Sequence, residues 1–423
     1  MTALLVVIVG VALLVVLAAR WAPAQPTVTV TAAGIDLDFS EAEQEREGSF
    51  RRRVRPWSLA SVLLDVLVVL VLTLTGAVAS ATAASPGPWW VQVVAGVTLV
   101  LIVSRAVTLP SAVAVRRASL DVGLATGTWR RWFRDLMLGF GLSWLLVTGA
   151  MLGWVGAARM WPTSWWFVVG LVAAVLVVVL SFLVPVVVEP LFARFEPLPA
   201  GPLRDRLLGL ARRDGVEVRD VLVADASRRT SALNAYVSGL GSTRRVVVND
   251  TLLDAGDDDA VQAVVAHELG HVVAHDVRTG TVLGAVGAAV GVAAASVLLA
   301  QPGLLSVSHV TSVSDPAVVG LLMTLGAWAG LLGSPLQTAM SRRIERRADR
   351  HCLDLTADPT TVARMHRSLA VTNMAALRPP RLLHLWFGTH PTSPERIADV
   401  RAWARDHGVD VPGPMRGGPS AGG

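Results

Sequence analysis

The amino-acid sequence predicts a mainly α, polytopic membrane protein with about seven transmembrane helices and a small α+β domain. Three observations carry this. Hydrophobic residues make up 53% of the 423 and charged ones only 16%, against about 45–50% and roughly 25% in soluble domains. Seven stretches reach the about 20 apolar residues that a bilayer core requires. Two long polar regions, residues 189–278 and 337–423, are left outside them.

The apolar stretches run over residues 2–22, 57–82, 88–107, 136–158, 164–188, 279–300 and 316–336. The first reads as a span, although Ala22-Pro23-Ala24 is the kind of small-residue site at which a signal peptide is cut. Against a signal stand the length of the apolar run and the lack of a basic residue before it. Arg46, Arg51, Arg52, Arg53 and Arg55 follow the first span. Arg105, Arg116, Arg117, Arg130, Arg131 and Arg134 follow the third. The connections after spans two and six hold no arginine, and that after span four holds only Arg159. Basic residues collect in cytoplasmic loops, so the odd-numbered connections and the C-terminus read as cytoplasmic. Trp57, Trp89, Trp90, Trp161, Trp165 and Trp166 stand at span ends, where amphipathic rings favour the headgroup layer. Asp65, inside span two, is the one clear intramembrane charge.

The chain divides into a membrane domain (1–188), a second domain (189–411) that includes the last two spans, and a Gly/Pro/Ser-rich tail (412–423) expected to be disordered. In the second domain, 201–215 has helical leucine spacing, 216–224 and 244–250 read as strands, and Asp257–Asp276 as one helix with an acidic start. The net charge of +5, from 37 basic and 32 acidic residues, announces no nucleic-acid partner. Every basic residue is arginine, which points to a GC-rich, bacterial source. The single Cys352 excludes intrachain disulfides and cysteine zinc sites and reads as a packing residue.

The strongest chemical signal is His267-Glu268-Leu269-Gly270-His271. Residues four apart share a helix face, so both imidazoles can grip one Zn²⁺ while Glu268 stands by its open position as a general base. Two histidines merely packing a helix are the bland reading. A catalytic zinc wants a third protein ligand. The position six after the second histidine is Val277, and Ala274 stands where that pattern needs glycine. His275 lies about 6 Å further along a straight helix than His271, too far for the same ion. Glu345 and Asp349, again four apart, supply the best pair: one carboxylate to bind zinc, the other to hold a ligand histidine or shuttle a proton. Alone they would read as a solvated helix with Arg–Glu pairs. Two spans separate His271 from Glu345, so the chain returns to the same side. Downstream, His390 and Arg396 are candidates for stabilising a developing oxyanion, though from the residues alone a turn followed by an ordinary helix is the better reading.

With these motifs in order, the chain resembles the integral-membrane zinc metalloproteases of family M48, in the Ste24-like, CAAX prenyl protease branch. The resemblance runs from Pro190 to about Val400. It rests on Pro190–Phe195, Asp225–Arg229, Asn234-Ala235-Tyr236, Asp250–Leu253, the His267–His271 motif, Glu345–Asp349 and Thr389-His390-Pro391. Seven spans favour that branch over the smaller HtpX-like one. The resemblance implies a zincin-like catalytic domain and helices enclosing a chamber near the cytoplasmic face. It implies one zinc per chain on His267, His271 and Glu345, with Glu268 as base. Asp349 is then the acid behind the ligands, and His390 and Arg396 the transition-state pair. Asn234 lies on the segment that pairs with substrate as an added strand. The partners implied are a protein or peptide substrate and the lipid bilayer. Thr392 departs from the usual second proline, and a bacterial host would not be expected to prenylate its proteins.

Overall fold

The computed structural model describes residues 2–24, 28, 30–239 and 241–416. Helix α1 (Thr2–Trp21) is followed by the short α2 (Ala32–Asp36) and by α3 (Glu41–Leu74). Ser40 and Glu43 start α3 with a reciprocal capping box. The helix thus begins well before the apolar stretch and carries the Arg51–Arg55 cluster on its polar first half. Gly76, at φ +72°, breaks it, and His309 packs so closely beneath that a Cβ there would lie 3.1 Å from the ring. After α4 (Ala77–Ala84) come α5 (Trp89–Asp121), α6 (Trp129–Met160) and α7 (Trp165–Leu183), with α8 (Glu189–Phe192) after a π-helical turn.

The polar region between spans five and six folds as a small mixed sheet with helices against it. Strand β1 (Phe195–Pro197) leads to α9 (Pro202–Arg213), β2 (Asp220–Ala224), β3 (Ala235–Ser238), β4 (Arg245–Asn249) and α10 (Asp250–Asp254). The order is β1-β2-β4-β3, with β2 parallel to β4 and the outer pairs antiparallel. The sequence reading located β2 and β4, whose valines are buried. It missed β1 and β3, which are three and four residues long and too short for a period to register. Helix α11 (Asp258–Val273) packs across the sheet.

The single helix expected over 257–276 is two. Ala274 and His275 form a turn, with His275 at φ +55°, and α12 (Asp276–Leu299) starts anew toward the membrane. After α13 (Pro302–Val307), helix α14 (Val318–Thr356) runs 39 residues unbroken. At 1.5 Å per residue that is about 58 Å, nearly twice a hydrocarbon core. It therefore crosses the membrane and emerges as the helix that carries Glu345 and Asp349. Helices α15 (Pro359–Thr372), α16 (Arg381–Phe387) and α17 (Ser393–Asp406) complete the chain.

Seven of these helices are long and apolar enough to cross a membrane: α1, α3, α5, α6, α7 extended to Phe192, α12 and α14. There are two main cores. Leu207, Val221, Val246, Val265, Leu269, Leu353 and Ile397 fill that of the sheet domain. Val93, Val97, Trp154, Leu299 and Val318 fill that of the membrane bundle. Cys352 is fully buried in the first, with its thiol on the Ala263 carbonyl. Asp65 lies exposed on α3. The arginine-rich connections share a side with the sheet domain. Ala125 bridges Thr230, the Thr126 amide donates to the Arg229 carbonyl, and Arg229 pairs with Asp135 at 2.9 Å. Residues 412–416 are held too, with Met415 and Arg416 amides on the Leu37 carbonyl. The remainder of the expected tail, 417–423, lies outside the described residues.

Candidate metal centre

Helix α11 begins at Asp257, whose carboxylate accepts from the Asp259 and Ala260 amides. Its apolar face is buried over Val261, Val264, Val265 and Leu269. That burial fixes the rotation of the helix, sets His267 and Glu268 in the wall of one cavity and brings the donor atoms of His267, Glu268 and His271 within 4.8 Å of one another. The two imidazoles are edge-on, with Nε2 atoms 3.3 Å apart. Helix α14 crosses directly over them. Gly270 permits this: a Cβ there would lie 3.2 Å from Ala348 Cα and 3.1 Å from His351 Cβ. The close crossing brings Glu345 Oε2 to 3.4 Å from His267 Nε2 and Oε1 to 3.7 Å from His271 Nε2.

These distances suit a metal. Donor atoms 2.0–2.2 Å from a tetrahedral zinc lie roughly 3.3–3.6 Å from one another. Glu345 is buried, and its Oε2 has no hydrogen-bond donor. His390 Nδ1 approaches that oxygen at 2.8 Å but outside hydrogen-bonding geometry. A buried carboxylate oxygen left without a donor beside two imidazole nitrogens is a cation site. Glu268 also brings an oxygen within 4.8 Å of both rings, but Glu345 gives the ligand-like spacing.

The outward nitrogens are committed. His267 Nδ1 lies 2.9 Å from Asp349 Oδ1, and His271 Nδ1 lies 2.8 Å from Asp276 Oδ2. Carboxylates there hold the Nδ1–H tautomer and leave each Nε2 free to ligate a metal that His267 and His271 would hold. Burial disfavours a charged His267, yet the Asp349 and Glu345 carboxylates beside it outweigh that and lift its pKa to about 10. Burial raises the Glu268 carboxyl above the usual range, against the pull of both histidines.

Around this core the other expected residues fall at different depths. Arg396 clamps Asp349 through Nε at 2.7 Å and through a second, shorter bond from Nη2. Its Nη2 also lies 3.8 Å from Glu345 Oε2. His390 is mostly exposed at the mouth of the site. The loop that bears it is fixed by Arg342, which donates to the His384 and Gly388 carbonyls. Thr392 is the N-cap of α17: its side chain accepts from the Glu395 amide, while the Thr392 amide donates to Glu395. A proline there has no N–H to give, so the departure from the usual motif has a structural use. Asn234 is exposed at the start of edge strand β3 and lines the same cavity. That cavity, about 660 Å³, runs from His267 and Glu268 past Leu383 and Phe387 to Arg55 and Val62 on α3. Three neighbours escaped the sequence reading: Asp276, His366 and Arg342. Only Asp276, five residues after His271, had a local signal, and it needed the turn at His275 to bring it back.

Fold and site together define a multi-pass membrane metallopeptidase of the His-Glu-x-x-His kind, with a site that implies zinc. The sequence profile of peptidase family M48 matches residues 197–404, and the chain belongs to that family. It is 29% identical over 310 residues to an uncharacterized metalloprotease, YhfN, of Bacillus subtilis, covering 73% of each chain. It is 30% identical to the CAAX prenyl protease 1 homolog of Dictyostelium discoideum, over 52% of this chain and 51% of that one. The match to CAAX prenyl protease 1 of Saccharomyces cerevisiae, at 31%, spans about a third of each. The crystal structure of S. mikatae Ste24p superposes with a TM-score of 0.78 at 18% identity, over 95% of this chain and 99% of that one. The fold is therefore that of Ste24p.

Proposed function

We propose that the protein is an endopeptidase that hydrolyses peptide bonds of membrane-associated proteins or peptides at the cytoplasmic face. It holds one zinc per chain on His267, His271 and Glu345. The observation that carries this is the approach of Glu345 to both imidazoles, at 3.4 and 3.7 Å, after a transmembrane hairpin. The arginine-rich connections on the side of the sheet domain support the cytoplasmic placement, and the arginine-only composition supports a bacterial cell membrane.

A bound zinc supplies Lewis acidity, polarising the scissile carbonyl and making water acidic near neutral pH. The chain does the rest. Edge strand β3 offers backbone groups to a substrate strand, with Asn234 beside the scissile bond. Glu268 takes the proton of the attacking water and passes it to the leaving amine. His390 donates to the oxygen on which charge develops. Arg396 adds positive charge nearby and holds Asp349, which holds His267.

Glu268→Gln should keep zinc and lose hydrolysis by about 10²–10⁴-fold. In the native membrane it should retain uncleaved substrate for identification by mass spectrometry. Turnover near that of the parent would defeat the mechanism. A narrower reading, cleavage restricted to prenylated C-termini, is favoured by the relatives named CAAX prenyl proteases and by the apolar cavity wall. Matched peptides with and without a farnesyl group separate the two.

A further inference from the structure

Asp276 stands where four helices meet. Its Oδ2 receives the His271 Nδ1 proton at 2.8 Å. Its Oδ1 receives the Trp21 indole N–H at 3.0 Å and the Arg347 guanidinium. Trp21 is the last residue of α1, 255 positions away in sequence. The end of α1 is held in other ways as well. Arg347 donates to the Trp21 carbonyl at 2.5 Å and Arg343 to the Ala22 carbonyl at 3.2 Å. These carbonyls are among those that a helix C-terminus leaves without partners. Both arginines flank Glu345 on α14, so α1 ends against the helix of the third ligand and the carboxylate behind the second.

The rest of α1 lies along α12 with most of its surface exposed. Gly10 is its one buried residue, pressed against Val290 of α12 so closely that a Cβ would clash at 2.3 Å. Lower down, the Trp21 ring lies over Gly280, 3.6 Å from where a Cβ would be. A helix serving only as a membrane anchor needs none of the polar contacts at its end. Without the indole N–H, Asp276 keeps one fewer donor to fix its plane, and the carboxylate can rotate away from His271. An imidazole whose Nδ1 partner is not fixed presents Nε2 less rigidly, and partners of this kind change metal affinity by about 10–100-fold when removed.

We propose that the C-terminal end of the first membrane helix is a positioning element of the metal site, with Trp21 acting through Asp276 to fix His271. This rests on the zinc assignment above. The test uses full-length protein in detergent, loaded with zinc, and follows zinc loss to a chelator. The Co²⁺-substituted protein reports ligand geometry through its visible absorption. Asp276→Asn should weaken zinc binding about 10–100-fold. Trp21→Phe keeps an aromatic ring but loses the donor, and should weaken binding about 3–10-fold with a shifted cobalt spectrum. The double variant should be no weaker than Asp276→Asn alone, because a residue acting through another adds nothing once that one is gone. Trp90→Phe, at an exposed tryptophan elsewhere in the bundle, should match the parent.

Parent-like zinc retention and cobalt spectrum in Trp21→Phe overturn the proposal. So does a Trp21→Phe effect that persists in full in the Asp276→Asn background, or an equal effect of Trp90→Phe. His271→Ala in the same assay must lose stoichiometric zinc. If it does not, the metal assignment has failed and takes this proposal with it, an outcome distinct from the others.

Discussion

His267 and His271 stand one helical turn apart, yet opposite parts of the chain brace them. His267 is 7% exposed and leans on Asp349, which Arg396 of α17 clamps within the core of the sheet domain. His271 is more open and leans on Asp276, whose other partners come from α1 and α14. One histidine is thus tied to the sheet-bearing region and the other to the membrane helices. Glu345 belongs to both sides, because α14 is a membrane span and a wall of the site at once. The proposed metal centre joins the sheet-bearing region to the membrane helices, and damage on its two sides should read out differently.

The largest effect is expected at Glu345, the proposed third ligand. Glu345→Ala should leave zinc far below one per chain by metal analysis, and hydrolysis should vanish with it; stoichiometric zinc in that variant would reassign the third ligand. On the His267 side, Asp349→Leu strands the buried Arg396 guanidinium. Stranding one member of a buried pair costs about 3–5 kcal/mol, so this variant should melt markedly earlier than the parent in a thermal unfolding scan. Asp276→Asn should instead lose metal affinity with little change in the melting of the metal-free protein. Equal losses of stability in the two variants would erase the asymmetry.

A pH titration sharpens the same contrast. His366 is 1% exposed, with no hydrogen-bond partner, 3.5 Å from Asp349 on the His267 side. Burial, helped by Arg396, pushes its pKa down from 6.5 to about 3. The unfolded chain takes up this proton near pH 6.5 and the folded one does not. The group is therefore neutral to stability above pH 6.5 and costs stability as pH falls from there toward 3. By pH 4.5 the deficit is about 3 kcal/mol, at 1.36 kcal/mol per pH unit. His366→Leu should reduce the fall in melting temperature between pH 6.5 and 4.5. Identical slopes in parent and variant would show that other groups set the acid limb.

How much of this is legible in the sequence follows from the range of each signal. The seven spans declare themselves by composition over about 20 residues. His267, Glu268 and His271 declare themselves by spacing within one turn, and Glu345 with Asp349 by the same spacing plus the parity of spans. The three groups proposed to hold zinc, His267 Nε2, His271 Nε2 and the Glu345 carboxylate, all come from such local patterns. The outer support on the His271 side is not. Asp276 reaches His271 only because His275 turns the backbone to φ +55°, and Trp21 reaches Asp276 across most of the chain. No periodicity encodes either. The short strands β1 and β3 escaped for the opposite reason, having too few residues to show alternation. Arg396 was read as a group facing substrate, whereas its strongest bonds run to Asp349 behind the ligand, a distinction that depends on depth.

The smallest expected effect concerns Thr392, and it tests whether the His267 side is braced as far out as the start of α17. The helix that carries Arg396 opens with a capping box in which Thr392 and Glu395 satisfy each other's amides. Thr392→Ala removes the side-chain half of the box and should cost about 1 kcal/mol. Thr392→Pro removes both the side-chain oxygen and the amide proton and should cost at least as much, although it restores the more common motif. If α17 transmits its order to Arg396, both variants should also release zinc slightly faster, as chelator kinetics would register. If melting temperature falls and zinc release does not, the cap serves only its own helix, and the bracing of His267 stops at Arg396.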